Sequence, residues 1–328
     1  MEIDLFDGCW TRWDRANDHR KAMTDVWNEY LGDHPFDFNL AHRGAGEFVL
    51  EVVQDRPAPA TFAVLLGEWL YNLRGSLDYL MWATVARLHG TVPPPDEGKL
   101  QYPIYESQRD WDRNAYRLKQ LAPHHREMLR IMQPFNSSPD ANYLGWLNHL
   151  ARVDRHRRLN TATAYIAVAE PVLEIPDAPG RQVSFQWGQR VLRGGRADLA
   201  RIVVDPWDGT LEPEEVRANP RVGIDPEIEA WSESEFWRKI PFGERLTLIQ
   251  VFVSSEIAAY EYDSTGRSRK SDMLKATFRA ECDARRGRLP PLKLPVAEAV
   301  WSEPVVGRRS TRERFEGRDF PTDSAKSS

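Results

Sequence analysis

Two short stretches of this sequence hold side chains of the kinds that perform chemistry. One is Glu68, Asn72, Arg74 and Asp78, set within the apolar run from Leu66 to Leu80. The other is Arg152-Val153-Asp154-Arg155-His156-Arg157. A guanidinium grips a phosphate through paired N–H bonds, and an imidazole exchanges protons near neutral pH. Arg152 as phosphate clamp, His156 as acid/base and Asn72 as orienting donor would suit cleavage of a phosphodiester. The same residue types also build buried ion-pair networks. That structural role is the first reading of Arg74, Asp78, Asp154, Glu68 and His19.

Carboxylates and histidines on facing helices can also hold metal ions. Here His19, Glu68, Asp78 and His156 would supply them. However, no Glu-x-x-His, His-x-x-x-His or Cys-x-x-Cys spacing occurs, so neither a metal nor a cofactor is expected. The phosphate loop, the dinucleotide fingerprint and the Gly-x-Ser-x-Gly elbow are also missing. Cys9 and Cys282 stand too far apart to suggest a disulfide framework, and their small number fits a reducing compartment.

These residues must be positioned by helices. Trp10, Trp13, Ala16, Met23, Trp27 and Tyr30 recur at helical spacing between about residues 7 and 31. Two alternating runs, 36–42 and 47–53, flank a glycine turn and predict a β-hairpin. A central helix then spans about 61–88, with Thr61 as its candidate cap. Its main apolar face is Phe62, Leu66, Trp69, Leu73, Leu77 and Leu80. At 100° per residue, Arg74 and Asp78 flank that face on one side and Glu68, Asn72, Gly75 and Tyr79 on the other. Arg74 and Asp78 are one turn apart and can bond along their own helix. Further helices are predicted near 107–117, 123–132, 141–158, 246–262 and 272–286, with strands at 161–169, 182–187, 200–204 and 221–224.

On the 141–158 helix, Tyr143, Leu144, Leu147, Leu150 and Ala151 share the apolar half. Asp154 falls near its middle, and His149, Arg152 and His156 lie opposite. Asp154 should therefore face inward and need a cation, for which Arg74 is the candidate by type.

The segment Gly67-Glu68-x-x-Tyr71-Asn72-Leu73-Arg74-Gly75-Ser76-Leu77-Asp78-Tyr79-Leu80 resembles an uncharacterised bacterial and phage family of mixed helical and β proteins. The likeness extends to Arg15-Ala16-x-x-His19, Tyr102-Pro103-Ile104, Gln133-Pro134-Phe135 and Asp154-Arg155-His156-Arg157-x-Leu159. That family commonly has His at the positions of Tyr71 and Tyr79, and Asp at that of Glu68. The resemblance implies an architecture and a residue set but no reaction. Separately, Arg152 and His156 are similar to the Arg/His pair of HEPN helical-bundle ribonucleases, although only three residues separate them here. That similarity implies metal-independent RNA cleavage.

The sequence thus predicts an α+β protein, a helical bundle around residues 61–88 packed with an antiparallel β-sheet. Residues 1–263 would form one domain. Residues 264–328 carry 15 Lys+Arg against 9 Asp+Glu, leaving 29 against 40 for the rest. They predict a basic, partly disordered tail that RNA or another anionic partner would meet first. No signal peptide or membrane span is evident, so a cytoplasmic location is expected. An adaptor or small-ligand-binding protein is the alternative to a nuclease.

Overall fold

In the computed structural model, the central helix predicted from the sequence packs against three others. The structure describes residues 4–156, 162–170, 172–207 and 211–286, with the backbone alone for Arg155, His156 and Ala162. Helix α1 (Asp7–Gly32) leads through the hairpin β1 (Phe36–Gly44) and β2 (Glu47–Gln54) into α2 (Ala60–His89). Three shorter helices follow: α3 (Gln108–Asn114), α4 (Pro123–Met132) and α5 (Tyr143–His156). Next come β3 (Ala162–Glu170), β4 (Leu173–Glu174), β5 (Gln182–Trp187), β6 (Arg196–Asp205), β7 (Arg217–Ala218) and β8 (Arg221–Ile228). The short α6 (Glu229–Ser232), the long α7 (Phe242–Thr265) and α8 (Ala276–Arg286) complete the order.

The fold is α+β. A four-stranded antiparallel sheet runs β1-β2-β6-β5, and β3 pairs with β8 separately. Strand β2 alternates as its sequence requires, burying Phe48, Leu50 and Val52. Opposite it, Leu199 and Ala200 of β6 are both buried. The register shift between Leu50 and Glu51 inserts Leu199 as an extra residue, which reconciles the two patterns.

Helix α2 is apolar around most of its circumference and sits against α1, α5 and α7, with Leu66, Trp69, Leu70, Leu73, Leu77 and Leu80 fully buried. Trp10, Trp13 and Trp27 of α1 reach across, their indole N–H groups donating to Glu261, the Gln250 carbonyl and the Ile224 carbonyl. Aromatic bodies in the core with a paired polar edge are the favourable arrangement for tryptophan. Among the described residues, no helix is long and apolar enough to cross a membrane.

Two expectations shift. Thr61 does not cap α2: the helix begins at Ala60, and the Phe62 amide bonds back to the Pro59 carbonyl, so the backbone closes the turn without a hydroxyl. At the other end Gly90 takes the left-handed conformation (φ 68°) and its amide bonds to Ala86, ending the helix. The boundary after residue 263 also moves, since α7 continues through Thr265. Beyond it Arg269 forms two bonds to Asp14 (2.6 and 3.0 Å), and Lys270 lies 4.1 Å over the Trp13 ring. Basic residues of this stretch find acids and rings on the body, which hold it in place. The remainder of the predicted tail, 287–328, lies outside the described residues.

Candidate functional site

The polar residues of α2 divide into two groups. Arg74 Nη1 donates to Asp78 Oδ1 at 2.6 Å, and its Nη2 donates to the Tyr102 carbonyl at 2.7 Å. The Tyr102 amide in turn donates to the same Asp78 oxygen at 2.9 Å. Both polar groups of one backbone residue are thus satisfied by two side chains a helical turn apart. Next door a single side chain, Gln133, serves two backbone residues, accepting from the Tyr105 amide (2.8 Å) and donating to the Pro103 carbonyl (3.0 Å). The Tyr102-Pro103-Ile104 segment has no strand partner, and these side chains replace one. Arg74 is committed here, so the pairing of Arg74 with Asp154 expected from the sequence is not formed. Asp78 is likewise withdrawn from any metal set with His19.

The second group lines a cavity of about 700 Å³ where α1, α2 and α5 meet. Arg15 and His19 come from α1, Gly67, Glu68, Tyr71 and Asn72 from α2, and Ala151 and Asp154 from α5. Their spacing places them there: Arg15 and His19 are one turn apart, as are Glu68 and Asn72. Gly67 is what lets α5 approach. A Cβ at that position would lie 2.5 Å from Asp154 Oδ2 and 2.8 Å from Oδ1. The carboxylate of Asp154 therefore rests directly on the α2 backbone, facing inward as the helical wheel predicts.

His19 is almost fully buried, with Nε2 3.1 Å from Glu68 Oε2 but poorly aligned for a hydrogen bond. Burial, reinforced by the charge of Arg15, lowers its pKa. The imidazole is then neutral near pH 7 and keeps both a donor and an acceptor nitrogen. Glu68 is more than half exposed and looks into the open cavity. Arg15 sits 3.7 Å from Asp18 on its own helix. A shallower depression continues along the same helices past Arg12, which stacks over Tyr79 (4.7 Å) and Tyr71 (5.7 Å).

The residues named for phosphodiester cleavage are placed differently. Asn72 lines the cavity, but its amide nitrogen donates to the Glu68 carbonyl at 2.9 Å within α2. Arg152 is exposed on α5 and is not among the described residues lining the cavity. His156 ends α5, and its side chain lies outside the described residues.

Helix α7 carries buried polar groups that the sequence reading missed. Arg245 forms a two-bond pair with Glu227 of β8, both about 1 % exposed, and also donates to the Ile240 carbonyl at 2.6 Å. Glu256 accepts from the Tyr102 hydroxyl at 2.7 Å, and burial raises its pKa to about 7. Asp263 Oδ2 receives two imidazole nitrogens, His124 Nε2 and His125 Nε2, each at 2.9 Å. Arg285 of α8 holds the other oxygen, Oδ1, through two bonds of 2.7 and 3.1 Å. Burial opposes the charge on Asp263, but the hydrogen bonds from His124, His125 and Arg285 outweigh it and keep the carboxyl far below its usual range. Adjacent His124 and His125 in the sequence were the available signal. They fall in no Glu-x-x-His or His-x-x-x-His pattern, so their spacing alone does not point to a shared site.

The chain matches no family model, no curated protein and no solved structure.

Proposed function

We propose that this is a small-ligand-binding protein whose site is the cavity between α1, α2 and α5. Arg74 and Asp78 serve the fold and take no part. The observation that carries the reading is the contrast in satisfaction: Glu68 faces open space beside a neutral, poorly bonded His19, while the clamp residues are fully engaged. Glu68 presents a largely exposed carboxylate to the cavity, and Arg15, the guanidinium among the described lining residues, already neighbours Asp18. The group open to a ligand is this carboxylate, so the ligand class is a small cationic amine. Exposed Val64 and Tyr71 line the same space and suit an apolar body attached to the amine. His19 would accept or donate one hydrogen bond, and Tyr71 offers a ring face to the cation.

The ribonuclease reading asks Arg152, His156 and Asn72 to meet at one phosphate. The exposure of Arg152 and the internal bond of Asn72 lend it no support.

Ligand-observed NMR with arylalkylamines, amino sugars and polyamines tests the proposal, with the matching carboxylic acids as the counter-set. Amines should bind the wild-type chain and lose at least tenfold in affinity in Glu68→Gln. Equal binding of amines and acids, or no change in Glu68→Gln, would overturn it.

A further inference from the structure

We propose that His124, His125 and Asp263 form a binding site for a divalent transition metal ion of the zinc class. The two histidines are consecutive at the start of α4, yet both Nε2 atoms converge on one oxygen of Asp263 in α7. Consecutive helical residues diverge by about 100°. Here the first turn brings the two rings within 4.1 Å of each other, centroid to centroid. Their nitrogens and the carboxylate oxygen all lie within 4.8 Å of one another. Zinc bonds of about 2.0–2.1 Å to nitrogen and oxygen imply tetrahedral edges of about 3.3 Å. The observed 2.9 Å contacts need to spread by only a few tenths of an ångström to admit the ion.

The two carboxylate oxygens have separate tasks. Oδ2 faces the imidazoles, and Oδ1 is fixed by Arg285 from the far side. One oxygen on the metal and the other oriented by an outer hydrogen-bond donor is the usual arrangement of a ligating carboxylate. His124 is about one-third exposed, whereas His125 and Asp263 are buried. The fourth position therefore opens toward solvent on the His124 side and would take water. Two imidazoles and one carboxylate suit zinc, cobalt or nickel ions better than magnesium or calcium, which prefer all-oxygen sites.

Ligation requires each histidine to carry its proton on Nδ1. His125 Nδ1 is buried with no hydrogen-bond partner, which favours modest affinity over a structural zinc site of the tightest kind. This site lies on α4 and α7, and its failure leaves the cavity of α1, α2 and α5 untouched.

Cobalt(II) titration of the full chain, followed by its ligand-field absorption, tests the proposal. The wild-type protein should take up a single equivalent with tetrahedral-type bands that zinc displaces. His124→Ala alters a partly exposed residue, so the fold should persist by circular dichroism while affinity falls at least tenfold. His34→Ala should leave uptake unchanged. Absence of cobalt bands in the wild type, or equal uptake by folded His124→Ala, would overturn the assignment. Asp263→Asn offers a second check: if folded, it should lose the bands while retaining an oxygen for Arg285.

Discussion

Arg74 and Asp78 close on each other and on the backbone of Tyr102, whereas Glu68, about 9 Å earlier along α2 by helical rise, borders an open cavity together with His19 of α1. Both regions use one acidic residue of α2 and one basic or imidazole partner. The difference lies in what completes them. In the clamp, a neighbouring chain segment supplies a donor and an acceptor that use up the side chains' capacity. In the cavity no backbone segment among the described residues plays that part, and Gly67 lets the Asp154 carboxylate lie against α2. Residue type alone does not separate a structural polar group from one available to a ligand. The supply of orphaned backbone does.

The largest effect should come from breaking a fully engaged pair. Glu227→Ala leaves Arg245 buried and charged, and stability measured by chemical denaturation should fall by about 3–5 kcal/mol. Arg74→Ala removes the donor to the Tyr102 carbonyl and one of the two donors to Asp78, groups only partly screened by solvent. The loss should be roughly 2–3 kcal/mol.

Glu256 sharpens the comparison through pH. Its carboxyl stays protonated in the folded protein up to about pH 7, while the unfolded chain ionises it near 4.5. The folded state binds more protons across that interval, so the contribution of Glu256 to stability declines as pH rises from about 4.5 to about 7. Glu256→Gln mimics the neutral acid. It should stabilise the protein at pH 8 by an amount of order 2–3 kcal/mol, and the gain should vanish below pH 4.5. Thermal melts of both chains across that range would show it. A constant difference at every pH would mean that Glu256 does not titrate there.

Much of this was legible from residue patterns. The helical repeat of the tryptophans in α1, the hairpin alternation and the apolar faces of α2 and α5 each depend on local periodicity, and each element stands within a few residues of its expected place. The inward direction of Asp154 followed from the wheel as well. Its neighbour did not, because the Gly67 contact depends on how two helices cross. The apolar spacing that predicts a helix near 246–262 carries no information about the buried acids of α7. Glu256 and Asp263 are identifiable only through Tyr102, His124, His125 and Arg285, which come from distant parts of the chain. Side-chain partners across such separations leave no local trace.

Smaller effects belong to the cavity. Gly67→Ala brings a methyl group against the Asp154 carboxylate and should cost about 1–3 kcal/mol through strain between α2 and α5. Glu68→Gln touches a largely exposed group and should change stability by no more than about 0.5 kcal/mol.

The division between clamp and cavity is tested most directly by measuring the denaturation midpoints of Arg74→Ala and Glu68→Gln side by side with the wild-type chain. The account predicts a large drop for Arg74→Ala and a midpoint for Glu68→Gln indistinguishable from wild type. Comparable losses in both, or a greater loss in Glu68→Gln, would show that the cavity residues hold the fold together after all.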